Sequence, residues 1–248
     1  MTRHLRDRSH PALRAVLGGA ALVGLPYLGA VASTWYRYGR PDGRPDEGSL
    51  LDQFMPDYEV RECHEIDVAA PAATTLAAAR DMDIYRSPLV RALFAVRTLP
   101  SRFRGREPEA HTSLLEETQA LGWRILAEAP DRELVVGAVT QPWRPEVRFR
   151  GLDPDAFIRF AEPGYARIAW TLEAVPLTEQ SSRFRTETRV STTDPASRRR
   201  FRRYWAVIAP GVRLIRRASL GLVKAEAERR HAAAAEPAAA PAPALAAT

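Results

Sequence analysis

"ARIAWTLEAVPLTEQSSRFRTETRVSTTDPASRRRFRRYW", residues 166 to 205, contains two period-two runs followed by the start of a helix. In the first run Ala166, Ile168, Trp170, Leu172 and Ala174 fall on one face, because successive side chains of a strand point to opposite sides. In the second, Phe184, Thr186, Thr188 and Val190 share one face, and Arg183, Arg185, Glu187 and Arg189 share the other. The short "TEQ" between the runs makes them a hairpin. Asp194 then supplies a helix N-cap and Pro195 the first helical position. The spacing predicts a helix from there to about Arg230, kinked at Pro210-Gly211.

That helix opens with five arginines in the six positions 198 to 203. With Phe201 as zero and about 100° per residue, Tyr204, Trp205, Ile208, Val212 and Ile215 fall within about 60° of it. Arg199, Arg202, Arg203, Arg213 and Arg217 fall about 100° to 200° away. The rings and the arginines point different ways, so this is an amphipathic helix with a packed aromatic side and a solvated arginine side. Contact of the arginines with an anionic membrane surface is the second reading.

The wider composition agrees. The 248 residues carry a formal net charge of +6, yet Lys224 is the only lysine among 36 basic residues, and acidic residues are spread through the same segments. This is a mixed-charge surface rather than a basic block, and no nucleic-acid partner is expected. Cys63 is the only cysteine, so no intrachain disulfide can form. His4, His10, His64, His111 and His231 show no metal-ligand spacing. No Ser/His/Asp arrangement, phosphate loop or dinucleotide fingerprint is found; no metal or cofactor is expected, and no catalytic residue is assigned.

Residues 15 to 32 are uncharged, follow Arg3, Arg6, Arg8 and Arg14, and precede Trp35, Tyr36 and Tyr38. The pattern predicts a membrane anchor, a single N-terminal span with an interfacial aromatic belt, arranged N-in with the main domain outside the cytoplasm. A cleaved export signal ending at Ala30-Val31-Ala32 is the alternative. Residues 1–38 therefore form the basic segment with anchor or signal, 39–54 a Gly/Pro/Asp linker, 55–230 one folded domain, and 231–248 a disordered Ala/Pro-rich tail.

Within the domain, Tyr58, Val60, Ile66 and Val68 mark a strand ending at Pro71. Helices are expected over 72–80, over 87–99, and over "TSLLEETQAL", where Thr112 or Ser113 caps and Glu116 completes a capping box. Strands follow in "WRILAEA", "ELVVGAVTQPW" and "VRFR". "GLDPDAF" and "AEPG" read as caps and turns, or as the rim of a cavity mouth.

The fold class is α+β. A strand leading through proline into helices, then antiparallel strands, then one long C-terminal helix: this order resembles the helix-grip fold of the SRPBCC superfamily, which includes START and polyketide cyclase groups. The resemblance rests on "EVRECHEIDVAAP", "RELVVGAVTQPW" and residues 166–205, and covers most of residues 57–228. It implies an antiparallel sheet wrapped around the long helix, here preceded by an N-terminal hydrophobic helix. It further implies an interior cavity for lipids, polyketides or other apolar molecules; the superfamily shares no catalytic residues to carry over. The segment 86–121 departs from the pattern, which points to a remodelled cavity entrance.

On that fold Trp170, Tyr204 and Trp205 lie on stripes facing the interior, with Trp143 and Phe149 near strand ends, as candidate ligand contacts. Glu62 and His64 share a strand face and stand roughly 7 Å apart. They join the candidate ligand-binding residues and could serve as an acid/base pair. The expected function is binding of a hydrophobic small molecule or lipid by a membrane-anchored helix-grip domain. The alternatives are a cyclase- or dehydratase-type enzyme using Glu62 and His64, and a structural module without ligand.

Overall fold

The computed structural model describes residues 11–40, 48–82 and 113–235, with side chains described from residue 24 onward. The helix expected over 87–99 lies outside the described residues, as does the tail beyond 235. In chain order the elements are α1 (Pro11–Arg37), α2 (Leu51–Phe54), β1 (Val60–Val68), α3 (Ala72–Arg80), α4 (Leu114–Ala120), β2 (Arg124–Ala129), β3 (Glu133–Thr140), β4 (Phe149–Arg150), α5 (Pro154–Ile158), β5 (Ala166–Thr178), β6 (Ser181–Thr192) and α6 (Pro195–Ala235).

The strands form one antiparallel sheet in the order β1-β6-β5-β3-β2, with β4 on β3. β5 and β6 form the expected hairpin at its centre, closed where Thr178 Oγ1 and Ser181 Oγ share a hydrogen bond of 2.6 Å. Pro176 is tolerated because β3 pairs with β5 only up to Glu173, so no ladder donor is lost on that side. Ser113 and Glu116 form the capping box of α4. Gly137, in mid-strand, is needed for packing: a Cβ there would stand 2.4 Å from Leu126 Cδ1 and 3.1 Å from Phe157 Cε2.

α6 lies along the face formed by the even-numbered residues of β1, β5 and β6, flanked by α3 and α1. It starts where Asp194 holds it: Oδ1 accepts from the amides of Ala196 (2.8 Å) and Ser197 (2.9 Å), and Oδ2 from Ser197 Oγ (2.6 Å) and the Gly164 amide (2.6 Å). These donors hold the Asp194 carboxyl far below the usual carboxylate range. The helix continues unbroken through Pro210 to Ala235, five residues past its expected end.

The opposite face is not left to solvent. α2 and α5, the latter a short helix where only caps and turns were expected, cover it with Leu51, Phe54 and Phe157 over Val135, Val139 and Ala169. Beside this patch the odd-numbered side chains of β6 form buried ion pairs. Arg189, 0% exposed, reaches Glu187 (2.6 Å) and Asp52 (2.5 Å) and donates to the Met55 carbonyl (2.9 Å). Burial pushes the thiol of Cys63, on the same face, up to about 11, which keeps it protonated.

The N-terminal span is corrected. Among the described residues no helix is long and apolar enough to cross a membrane. The described part of α1 instead packs along α6 through polar contacts that lipid could not supply. Tyr27 Oη donates to the Val207 carbonyl (2.5 Å), Arg213 Nη1 donates to Thr34 Oγ1 (3.1 Å), and Arg202 donates to the Trp35 carbonyl (2.9 Å) with its guanidinium 4.1 Å from the Trp35 ring. Tyr38, expected in an interfacial belt, donates to Glu59 (2.9 Å). The solvated arginine side is corrected with it. Arg199, Arg203 and Arg217 are exposed, whereas Arg202 and Arg213 tie α6 to α1.

Glu133 and Glu173 sit directly opposite each other on β3 and β5, both buried. Burial first, and the Glu133 charge second, push the Glu173 carboxyl up to about 7. From about pH 4.5 to about 7 the folded chain therefore holds a proton that the unfolded chain has released, so stability is fully present below this window and falls as pH rises through it. Glu173→Gln is expected to flatten that fall and to raise stability at pH 8 by about 1–3 kcal/mol, read from thermal unfolding at pH 5 and pH 8.

Candidate functional site

The concave face of the sheet carries Ile168, Trp170 and Leu172 from β5 and Phe184, Thr186 and Thr188 from β6. α6 faces them with Ile208, Gly211, Val212, Ile215 and Arg216, residues that recur at helical spacing. The two surfaces do not close on each other. A cavity of about 740 Å³ remains between them, with Trp123, Met82 and Leu114 at one side and Tyr27 of α1 at another. Below it Phe201 stacks on Trp205 (5.9 Å between ring centres) with Val60, Ala166 and Val190, and fills the space where α6 starts. The helix is thus packed at its N-terminal end and again at Leu220, Val223 and Ala227, and stands off the sheet in between.

The candidate residues separate between these two zones. Trp170 lines the cavity and meets Trp123 edge-on at 6.3 Å. Trp205 and Tyr204 belong to the filled cluster around Phe201, which Trp143 joins edge-on at 6.5 Å. Phe149 meets Trp123 at a tilt, 4.8 Å between ring centres, at the strand edge. It is not among the cavity-lining residues.

Glu62 and His64 do lie on the face of β1 turned toward α6. Glu62 is 8% exposed, and both its oxygens are taken by Arg213: Nη2 donates at 2.5 Å and Nε at 2.9 and 3.1 Å. His64 stands across the ladder from Thr186, and its buried Nδ1 has no hydrogen-bond partner among the described residues. Burial, followed by the Arg216 charge, holds the imidazole below its ordinary value, so it is neutral near pH 7. Neither residue lines the cavity.

Arg216, which the sequence reading passed over, does. Its Nη1 donates to Thr186 Oγ1 (3.3 Å) and its Nη2 to Thr188 Oγ1. Burial pushes its guanidinium below the usual range, with Glu62 the main charge acting the other way. The signal was present in the helical wheel. Arg216 falls about 60° from Phe201, at the margin of the apolar stripe rather than on the arginine side.

No family model and no curated protein matches the chain. Among solved structures it is similar to an aromatase/cyclase from a Streptomyces species (18% identity, 68% of this chain and 94% of that one, TM-score 0.27). It is also similar to a START superfamily protein from Mycobacterium smegmatis (14%, 70% and 98%, TM-score 0.30) and to a hypothetical protein from Helicobacter pylori (9%, 75% and 98%, TM-score 0.37). These likenesses concern the fold alone, and the activities in those names stay with those proteins. The strand order and the long helix over the concave face are those of an α+β helix-grip fold.

The Glu62–Arg213 pair connects β1, α6 and, through Thr34, α1. Arg213→Met leaves a buried carboxylate without its partner and is expected to lower stability by about 2–3 kcal/mol, measured by chemical denaturation. Adding Glu62→Gln removes the orphaned charge, and about half of the loss should return.

Proposed function

We propose that the domain binds an apolar small molecule or a lipid in the space between the sheet and α6, acting as a carrier or sensor. The observation that carries this reading is the cavity: about 740 Å³, bounded by Trp170, Leu172, Phe184, Val212 and Ile215. That volume falls in the range of about 300–1,000 Å³ typical of small-molecule sites. Protein interiors otherwise pack to crystal-like density, so a space of this size left among the described residues, in largely apolar walls, favours an occupant. Acid/base catalysis by Glu62 and His64 has less support, because Arg213 occupies both oxygens of Glu62 and neither side chain lines the cavity.

Native mass spectrometry of the full chain, purified without detergent and followed by organic extraction, tests the reading. A discrete bound mass is the expected result. A bare chain that also shows no thermal shift across a panel of lipids and polycyclic compounds would sink it. Gly211 provides a control, because it lines the cavity and a Cβ added there meets no atom within 4 Å. Gly211→Phe should abolish the bound mass while keeping or raising the melting temperature, since glycine in a helix costs up to about 1 kcal/mol.

A further inference from the structure

We infer that the ligand is an amphiphile with one carboxylate, and that Arg216 is its counter-ion inside the cavity. This rests on the binding reading above and adds the chemistry of the ligand's polar end. Of the described residues that line the cavity, Arg216 is the one that carries a charge. Its contacts among the described residues are the hydroxyls of Thr186 and Thr188, and no carboxylate pairs with it. Arg216 is half-buried, and a guanidinium held partly out of water against apolar walls without a counter-ion carries a cost that a bound anion relieves.

The neighbouring cations are otherwise engaged. Arg213, three residues earlier, is neutralised by Glu62, and Arg217 is exposed. His64 is held neutral by burial and by Arg216 itself. One uncompensated positive charge calls for a single negative charge, which favours a carboxylate over a phosphate dianion.

The local geometry suits the same group. A planar guanidinium matches the two oxygens of a carboxylate. Thr186 and Thr188 accept from Arg216 through their hydroxyl oxygens, which leaves each hydroxyl proton to donate to a ligand oxygen. Toward the other end of the sheet Leu172, Phe184, Leu220 and Val223 form an apolar wall without a charged residue, suited to the remainder of the molecule.

Isothermal titration calorimetry of the full chain with cis-9-hexadecenoate and naphthalene-2-carboxylate, each beside its methyl ester, tests the inference. At least one acid should bind about ten- to a hundredfold more tightly than its ester, the ratio expected of one charge-assisted contact. Arg216→Gln should bring that ratio to about one, and Arg216→Lys, which keeps the charge, should retain part of the preference. Equal binding of acid and ester to the wild-type chain, or a preference that survives in Arg216→Gln, overturns the carboxylate assignment and leaves the cavity reading standing. If no acid or ester binds and no mass copurifies, the cavity reading itself fails.

Discussion

Asp194 is the joint on which the architecture turns. One carboxylate caps the first turn of α6 and at the same time accepts the Gly164 amide at the entrance to β5. The origin of the longest helix is thereby fixed to the start of a central strand. A helix rises about 1.5 Å per residue, so a small change in its angle at the origin would move its far end by many ångströms. Next to the cap, Phe201 and Trp205 pack on Val60, Ala166 and Val190 of the sheet and hold the first turns of the helix against it.

The sheet has two kinds of interior. On the α6 side, aromatic and aliphatic residues alternate out of β5 and β6 and leave a space. On the other side, α2 and α5 seal an apolar patch beside buried charges: Arg189 with Glu187 and Asp52, and Glu133 with Ser49 and Thr171. Buried ion pairs contribute little net stability, but each is costly to break, so they hold register more than they add free energy. Glu187 also pairs with Arg61 of β1 (2.7 Å), and that contact resists sliding of β1 against β6.

α6 places two arginines, 213 and 216, toward the sheet, with opposite fates. Arg213 meets Glu62 and becomes a structural tie. Arg216, one turn further on, meets two hydroxyls and stays uncompensated within apolar walls. The difference lies in the strand each reaches: β1 offers the Glu62 carboxylate, whereas β6 offers Thr188, directly across from Glu62, and Thr186.

By itself the sequence determined the sheet-and-helix plan, because period-two and helical patterns are local. The β5–β6 hairpin, the Asp194-Pro195 cap, the Ser113–Glu116 capping box and the apolar stripe from Phe201 to Ile215 all stand where residues 166–205 and their neighbours place them. Which candidates would meet was a different matter. Trp170 and Trp205 carry the same signal, an aromatic ring on an inward face, yet one lines the cavity and the other fills the core, since only the height of α6 above the sheet separates the two. Residues 15–32 carry enough apolar character to suggest a membrane span, but the partners of the helix they belong to, Val207, Arg202 and Arg213, lie some 170 residues away or more along the chain. Glu62 looked free to act as a base until Arg213, 151 positions away, was brought onto it. Local periodicity sets which way a side chain points. Only the packed chain decides what it meets, because burial and charge pairing depend on residues that local periodicity does not connect.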